Sequence, residues 1–127
     1  IYIKLILMSK KFEDLKLLNS IYVDKKTNAP FSGQVVGKDQ GTINNGKFEG
    51  PWISYFDEGL EKLKTKGNYK NGKRHGVWNF FYENGQLAAK GKFIDGEQDG
   101  LFIQYHKNGQ LMFRGSFDKG KLNGVGN

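Results

Sequence analysis

Residues 71–94 read NGKRHGVWNFFYENGQLAAKGKFI, and residues 95–118 repeat them loosely as DGEQDGLFIQYHKNGQLMFRGSFD. Superposed, Gly72, Gly76, Gly85 and Gly91 fall on Gly96, Gly100, Gly109 and Gly115, a period of 24 residues (76 to 100, then 100 to 124). A fixed period in this range marks a repeat array, which decides the fold before any single residue does. Upstream, residues 45–70 (NGKFEGPWISYFDEGLEKLKTKGNYK) carry Gly46, Gly50, Gly59 and Gly67 at the same four positions, but this unit is 26 long. The two extra residues lie between Gly59 and Gly67, a gap of 8 where the next units have 6. Residues 22–44 hold a degenerate, shortened unit whose end, GTINNG at 41–46, matches GNYKNG at 67–72. Residues 119–127 open a further unit that stops early.

Asn71-Gly72, Asn84-Gly85, Asp95-Gly96 and Asn108-Gly109 are strong hairpin signals. A two-residue turn of the right twist needs φ > 0 at both positions, which Asn, Asp and Gly adopt cheaply. Two turns per unit make two strands per unit, and the segments between turns are long enough for ordinary strands. Strands joined by tight turns must be neighbours in space. The expected fold is therefore all-β, an open antiparallel meander of hairpin repeats. Alternation assigns the faces. Leu87, Ala89, Gly91 and Phe93 share one face of a second strand, repeated by Leu111, Phe113, Gly115 and Phe117 and by Leu63, Thr65, Gly67 and Tyr69. In the first strands Trp52, Trp78 and Phe102 occupy one position, and Tyr55, Phe81 and Tyr105 another on the opposite face. Gly50, Gly76 and Gly100 stand two residues before the Trp/Phe position, where a bulge or a close backbone approach would re-aim the ring.

The unit, with its recurring glycines, turns and rings, resembles the bacterial variant of the MORN repeat, often labelled YwqK-type antitoxin. The lead-in TNAPFSG at 27–33 fits the same resemblance, which covers about residues 22–127. It implies an open-faced β-meander and a class of interaction modules, some described as antitoxins. This chain departs from the pattern at the two-residue insertion, at Phe102 in place of Trp, and at Gly126 where a fourth ring would stand.

Composition bounds the rest. A chain of 127 residues is one domain. Eighteen glycines with two prolines fit tight turns rather than disorder, and 14% aromatic residues supply the apolar mass that disordered chains lack. No cysteine is present, which excludes a disulfide framework and thiolate chemistry. The net charge of +7 is spread along the chain, with no dense basic run, so no specific nucleic-acid partner is expected. No apolar stretch is long enough to span a bilayer. Bacterial cytoplasm and cell envelope are both open.

Residues 1–21 form an N-terminal segment. Residues 1–8 (IYIKLILM) have three readings: the tail of a signal peptide, foreign residues ahead of a natural start at Met8, or an element packing on the sheet. Residues 9–18 (SKKFEDLKLL) predict a short amphipathic helix, capped by Ser9, with Phe12, Leu15 and Leu18 on one stripe. It would cover an apolar face or an end of the open sheet. The first strand begins at Ile21, and a turn region surrounds Pro30.

No catalytic residues, metal ligands or cofactor motif are expected. His75 aligns with Glu49 and Asp99, and His106 with Phe56 and Tyr82, so both read as structural. No serine stands in a nucleophile-elbow setting, and most carboxylates lie in solvated turns, where a raised pKa is hard to achieve. Two candidate surfaces emerge. One is a basic column: Lys66, Lys90 and Arg114 hold one repeat position, flanked by Lys64 and Lys92, with equivalent cations roughly 10 Å apart. Such cations also serve to solvate an outward sheet face. The other is the ring face of Trp52, Trp78, Tyr82 and Phe102, a groove for a partner if it is open and the core if it is not. The expected function is non-enzymatic binding of another protein, with the neutralising half of a toxin pair as one version of it. Two alternatives are a membrane-surface module using the basic column on anionic headgroups, and an array that self-assembles through its sheet edges.

Overall fold

The computed structural model describes residues 8–125. Its strands are β1 (Lys10–Lys11), β2 (Leu15–Leu18), β3 (Ile21–Asp24), β4 (Gly33–Val36), β5 (Asp39–Asn44), β6 (Lys47–Tyr55), β7 (Leu63–Lys70), β8 (Lys73–Arg74), β9 (Gly76–Phe81), β10 (Leu87–Ile94), β11 (Glu97–Tyr105), β12 (Leu111–Asp118) and β13 (Lys121–Val125). From β4 onward each strand pairs antiparallel with the next in sequence. β8 and β9 act as one first strand interrupted at His75, since both pair with β7. The meander expected from the turns is the observed sheet. One strand lies outside that scheme: β1 adds parallel to β4 at the edge, which makes the sheet mixed.

The turns divide into two kinds, and this corrects the reading of a single type. Asn45-Gly46, Asn71-Gly72, Asp95-Gly96 and Lys119-Gly120 have φ > 0 at both residues, as a two-residue hairpin turn requires. At the opposite end of the strands only the glycines of Asn84-Gly85 and Asn108-Gly109 have positive φ. There Gly85 N–H donates to Tyr82 O (3.0 Å) and Tyr82 N–H to Gln86 O (2.9 Å), closing a three-residue loop. The Asn84 carboxamide oxygen accepts from Gln86 N–H at 2.9 Å, an Asx turn, and Asn108 does the same for Gln110. Asn therefore works through its side chain at one end of the sheet and through its left-handed backbone at the other. The two-residue insertion is absorbed at the loop end. Phe56 N–H donates to Lys62 O at 2.9 Å across residues 57–61, five residues where the next units have three. The strand register beyond it is unchanged, because Trp52 still faces Gly67 as Phe102 faces Gly115. Replacing 57–61 by the Glu-Asn-Gly of residues 83–85 is accordingly expected to change stability by less than about 1 kcal/mol in urea unfolding, since loop length is a weak term.

A transverse row of alternating rings and glycines forms the centre of the sheet: Gly41, Trp52, Gly67, Trp78, Gly91, Phe102, Gly115. Each ring lies flat on the glycine of the strand before it. A Cβ on Gly67 would come within 2.6 Å of Trp78 Cγ and closer still to Cδ2 and Cε2. One on Gly91 would reach Phe102 Cε2 at 2.9 Å, and one on Gly41 would reach Trp52 Cζ3 at 2.9 Å. Gly50, Gly76 and Gly100 do what their position suggested. All have φ between 84° and 93°, nothing lies within 4 Å of where their Cβ would be, and the ladder shifts register beside Gly50 and Gly100.

The N-terminal segment is not an α-helix. Phe12–Asp14 form one 3-10 turn, and β2 and β3 form a separate hairpin around Asn19 (φ 50°) and Ser20 (φ 68°). The stripe of Phe12, Leu15 and Leu18 suits a helix in isolation, but the core claims only two of the three. Leu15 is buried, Phe12 packs its ring on Tyr22, Phe48 and Trp52, and Leu18 stays exposed. The segment covers the ring face, which the sequence left open between a face and an end of the sheet. The Lys10–Asp24 pair (2.8 Å) ties it down, and the Asp24 carboxyl is held below its usual range by Lys10 and by the N–H groups of Lys26 and Thr27. The readings of residues 1–7 and of Gly126 lie outside the described residues.

Candidate functional site

The two faces of the sheet differ in chemistry, and the structure separates the two candidate surfaces between them. The ring face is the core. Trp78 is 1% exposed, Trp52 7% and Phe102 9%, so none of the three offers its side chain to a partner. They join Leu15, Phe31, Val35, Ile43, Ala89 and Phe93 in one cluster. Trp78 Nε1–H, a donor that burial would otherwise leave unpaired, bonds to Asn68 O at 2.9 Å. Arg74 takes the position held by Phe48 in the preceding unit. Its guanidinium lies over Trp78 (5.0 Å), Phe80 (5.1 Å) and Phe93 (5.5 Å), replacing a ring with a planar cation. Burial pushes the Tyr69 hydroxyl up from its ordinary pKa, with Arg74 beside it pulling the other way. Tyr82 lies apart from the three core rings. It is half-buried near the loop end, and its hydroxyl donates to Tyr105 O at 2.8 Å.

The opposite, outer face carries the cations. The register places Gln40, Ile53, Lys66, Asn79, Lys90, Ile103 and Arg114 in one transverse row. The basic column is thus a true line across the sheet, with an uncharged side chain on each intervening strand. A second row alongside pairs Pro51 with Asn68, Val77 with Lys92, and Leu101 with Ser116. Val77 is 50% and Leu101 44% exposed, so the cations are interleaved with apolar groups already in contact with water. Lys64 stands at the bulge beside the first row, its ammonium 5.9 Å from the Phe56 ring centre. The first row contains no carboxylate; beside the second, Glu49 pairs with Thr42 and Asp99 falls in the bulge opposite Lys92. All five cations singled out from sequence therefore lie on the face opposite Trp52, Trp78 and Phe102, Lys64 at a bulge. Across β5, β6, β7 and β9 the outer face dips into an open concavity of about 510 Å³, whose lining includes Gln40, Pro51, Ile53, Lys66, Val77 and Asn79.

Sequence reading missed this dip, and it missed the stitch between units. The N–H of the turn glycine in each unit donates to a carbonyl of the unit before: Gly46 to Phe31, Gly72 to Phe48, Gly96 to Arg74 and Gly120 to Gln98, all at 2.8–2.9 Å. No residue type encodes a backbone bond, so only the repeat spacing could have pointed to it.

Among the described residues no group of three or more His, Cys, Asp or Glu side chains is placed to hold a metal, and no helix is long and apolar enough to cross a membrane. His106 is exposed at a loop, and its N–H closes that loop on Gln110. His75 is half-buried, with its Nδ1 unpartnered, at the break between β8 and β9. Asp39 has its carboxyl pushed up by burial, with Lys38 and Lys64 opposing.

No curated protein matches the chain. The family described as the MORN repeat variant matches residues 74–95 and 98–119. The two matches start 24 residues apart (98 − 74), the period read from the glycines, and they lie side by side in the sheet as β8–β10 and β11–β12. These two adjacent units of the chain are thus similar to the MORN repeat variant, and the rest of the sheet continues their geometry in both directions.

Proposed function

We propose that this chain is a non-catalytic repeat module that binds another protein through the outer face of β6–β12. The observation that carries the reading is the division of the two faces. The ring face is filled by the chain's own N-terminal segment and rings, whereas the outer face presents aligned cations and exposed apolar groups. A repeat sheet of this kind offers regular side-chain spacing over a broad area, which suits recognition of an extended surface better than reaction at a point. In the antitoxin-like version of this reading, the bound protein is a toxin that the module neutralises.

The test is capture from native cell extract with the chain immobilised, set against Lys66→Glu/Lys90→Glu. Both side chains are exposed, so the double variant should fold with an unchanged melting temperature. A protein retained by the parent chain and lost at least about tenfold in the variant supports the reading, since reversed charge at an interface both weakens and slows association. Equal retention by both chains would defeat it. The lack of carboxylates in the row of Lys66, Lys90 and Arg114 also favours a second reading, an anionic membrane surface, at about 1 kcal/mol per cation. Flotation with phosphatidylserine vesicles decides this one: binding that the same double variant does not reduce rules it out.

A further inference from the structure

We infer that the partner element this face accepts is an acidic, amphipathic helix laid across β6, β7, β9 and β10. The inference rests on the outer face being the protein-binding surface, and it adds which chemistry and which conformation that surface fits.

Charge comes first. Lys66 and Lys90 lie in one row that holds no carboxylate, with Lys92 beside them. The complementary segment must be acidic. Spacing then selects its conformation. Neighbouring strands are about 4.8 Å apart, so Lys66 and Lys90, separated by β9, are about 9.6 Å apart. An α-helix advances about 5.4 Å per turn, so a helix crossing the strands meets roughly one strand per turn. Carboxylates one heptad apart, about 10.5 Å, reach both lysines from one face of the helix. The residues on the intervening turn then fall on Asn79 and Val77 of β9, and those on the turn before Lys66 fall on Ile53 of β6. An extended segment fails this requirement. It covers the lysine spacing in about three residues, and an odd step in a strand turns the second side chain away. Twist between adjacent strands, about 20–25°, confines a straight helix to a few strands, which is why four are assigned and not the whole row.

The concavity supplies the anchor. It lies beside Lys66, between the apolar side chains of Pro51 and Ile53 on one strand and Val77 on another. One Leu-sized side chain of the partner helix, seated there and ringed by Lys66, Asn68 and Asn79, would form the buried centre of the contact, with the salt-sensitive pairs around it. A single-stranded nucleic acid would instead want exposed rings to stack on. The rings on this face, Tyr55, Phe81 and Tyr105, are half-buried.

Fluorescence anisotropy tests the inference with four probes. These are a synthetic helical peptide of about three heptads with Glu at heptad spacing and Leu on the intervening turns, a scrambled peptide of the same composition, an oligo-dT of similar charge, and phosphatidylserine vesicles. The helical peptide should bind at least about tenfold tighter than the scrambled one, about 1.4 kcal/mol. Lys66→Glu/Lys90→Glu should weaken it at least about tenfold, and Val77→Asp roughly fivefold. Equal binding of the two peptides overturns the inference, as does oligo-dT or vesicle binding tighter than that of the helical peptide. If a protein captured from extract is released by the double variant while the two peptides bind alike, the surface stands and the helix is wrong. If the double variant affects neither capture nor peptide, both readings fall.

Discussion

Trp78→Ala is expected to destabilise the protein by about 4 kcal/mol, the upper part of the range for a buried aromatic cut back to alanine. The size follows from what the ring does. Trp78 is 1% exposed, lies on Gly67, packs edge-on against Tyr69 at 4.8 Å, is stacked by Arg74 at 5.0 Å, and bonds Asn68 O through Nε1–H. Alanine removes all of these and leaves a hole between two glycines, where neither neighbouring strand has a side chain to move in. Urea unfolding followed by circular dichroism should show the midpoint fall with little change in slope. For a chain of this size the melting temperature should drop by roughly 15 °C. A loss below about 2 kcal/mol would mean that the ring row is not the centre of the core.

The second large effect is expected from the smallest change. Gly67→Ala should cost about 3 kcal/mol, near the top of the range for overpacking. The added methyl would overlap the Trp78 indole, which is pinned by Asn68 and Arg74 and cannot tilt away. Backbone freedom is not the reason, because Gly67 is not among the residues with positive φ. Gly76→Ala is the contrast. Nothing lies within 4 Å of its Cβ direction, but its φ is 84°, so it should cost about 1–2 kcal/mol through the backbone alone. A double-mutant cycle separates the causes. With Trp78→Ala in place, and an osmolyte added so that every variant folds, Gly67→Ala should become neutral or slightly stabilising, because alanine suits a strand better than glycine. The coupling should exceed about 2 kcal/mol. A cost for Gly67→Ala that is the same in both backgrounds would remove the ring-on-glycine contact as its explanation.

Much of the fold was legible in the chain because its determinants are local. The Asn/Asp-Gly corners, the alternation of side chains and the 24-residue period each act within one unit. They name a meander and correctly put Lys66, Lys90 and Arg114 in one line. The turn chemistry was legible only in part. Asn84-Gly85 and Asn71-Gly72 look alike on paper, yet Asn84 keeps a negative φ and caps Gln86 through its side chain. The difference comes from the bulge at Ala88, which shifts the pairing beside the loop.

What the sequence determined by itself is the strand-and-turn order and the membership of each face, since both follow from bonded neighbours and from a period of two. What only the tertiary structure decided is which face is closed. Phe12 and Leu15 could line a helix as readily as a 3-10 turn and a strand; their packing against residues as distant as Phe31 and Trp52 selected the second. That packing turned the ring face into core and left the cationic face to the solvent. No local pattern encodes the choice, because it depends on contacts between residues tens of positions apart in the chain.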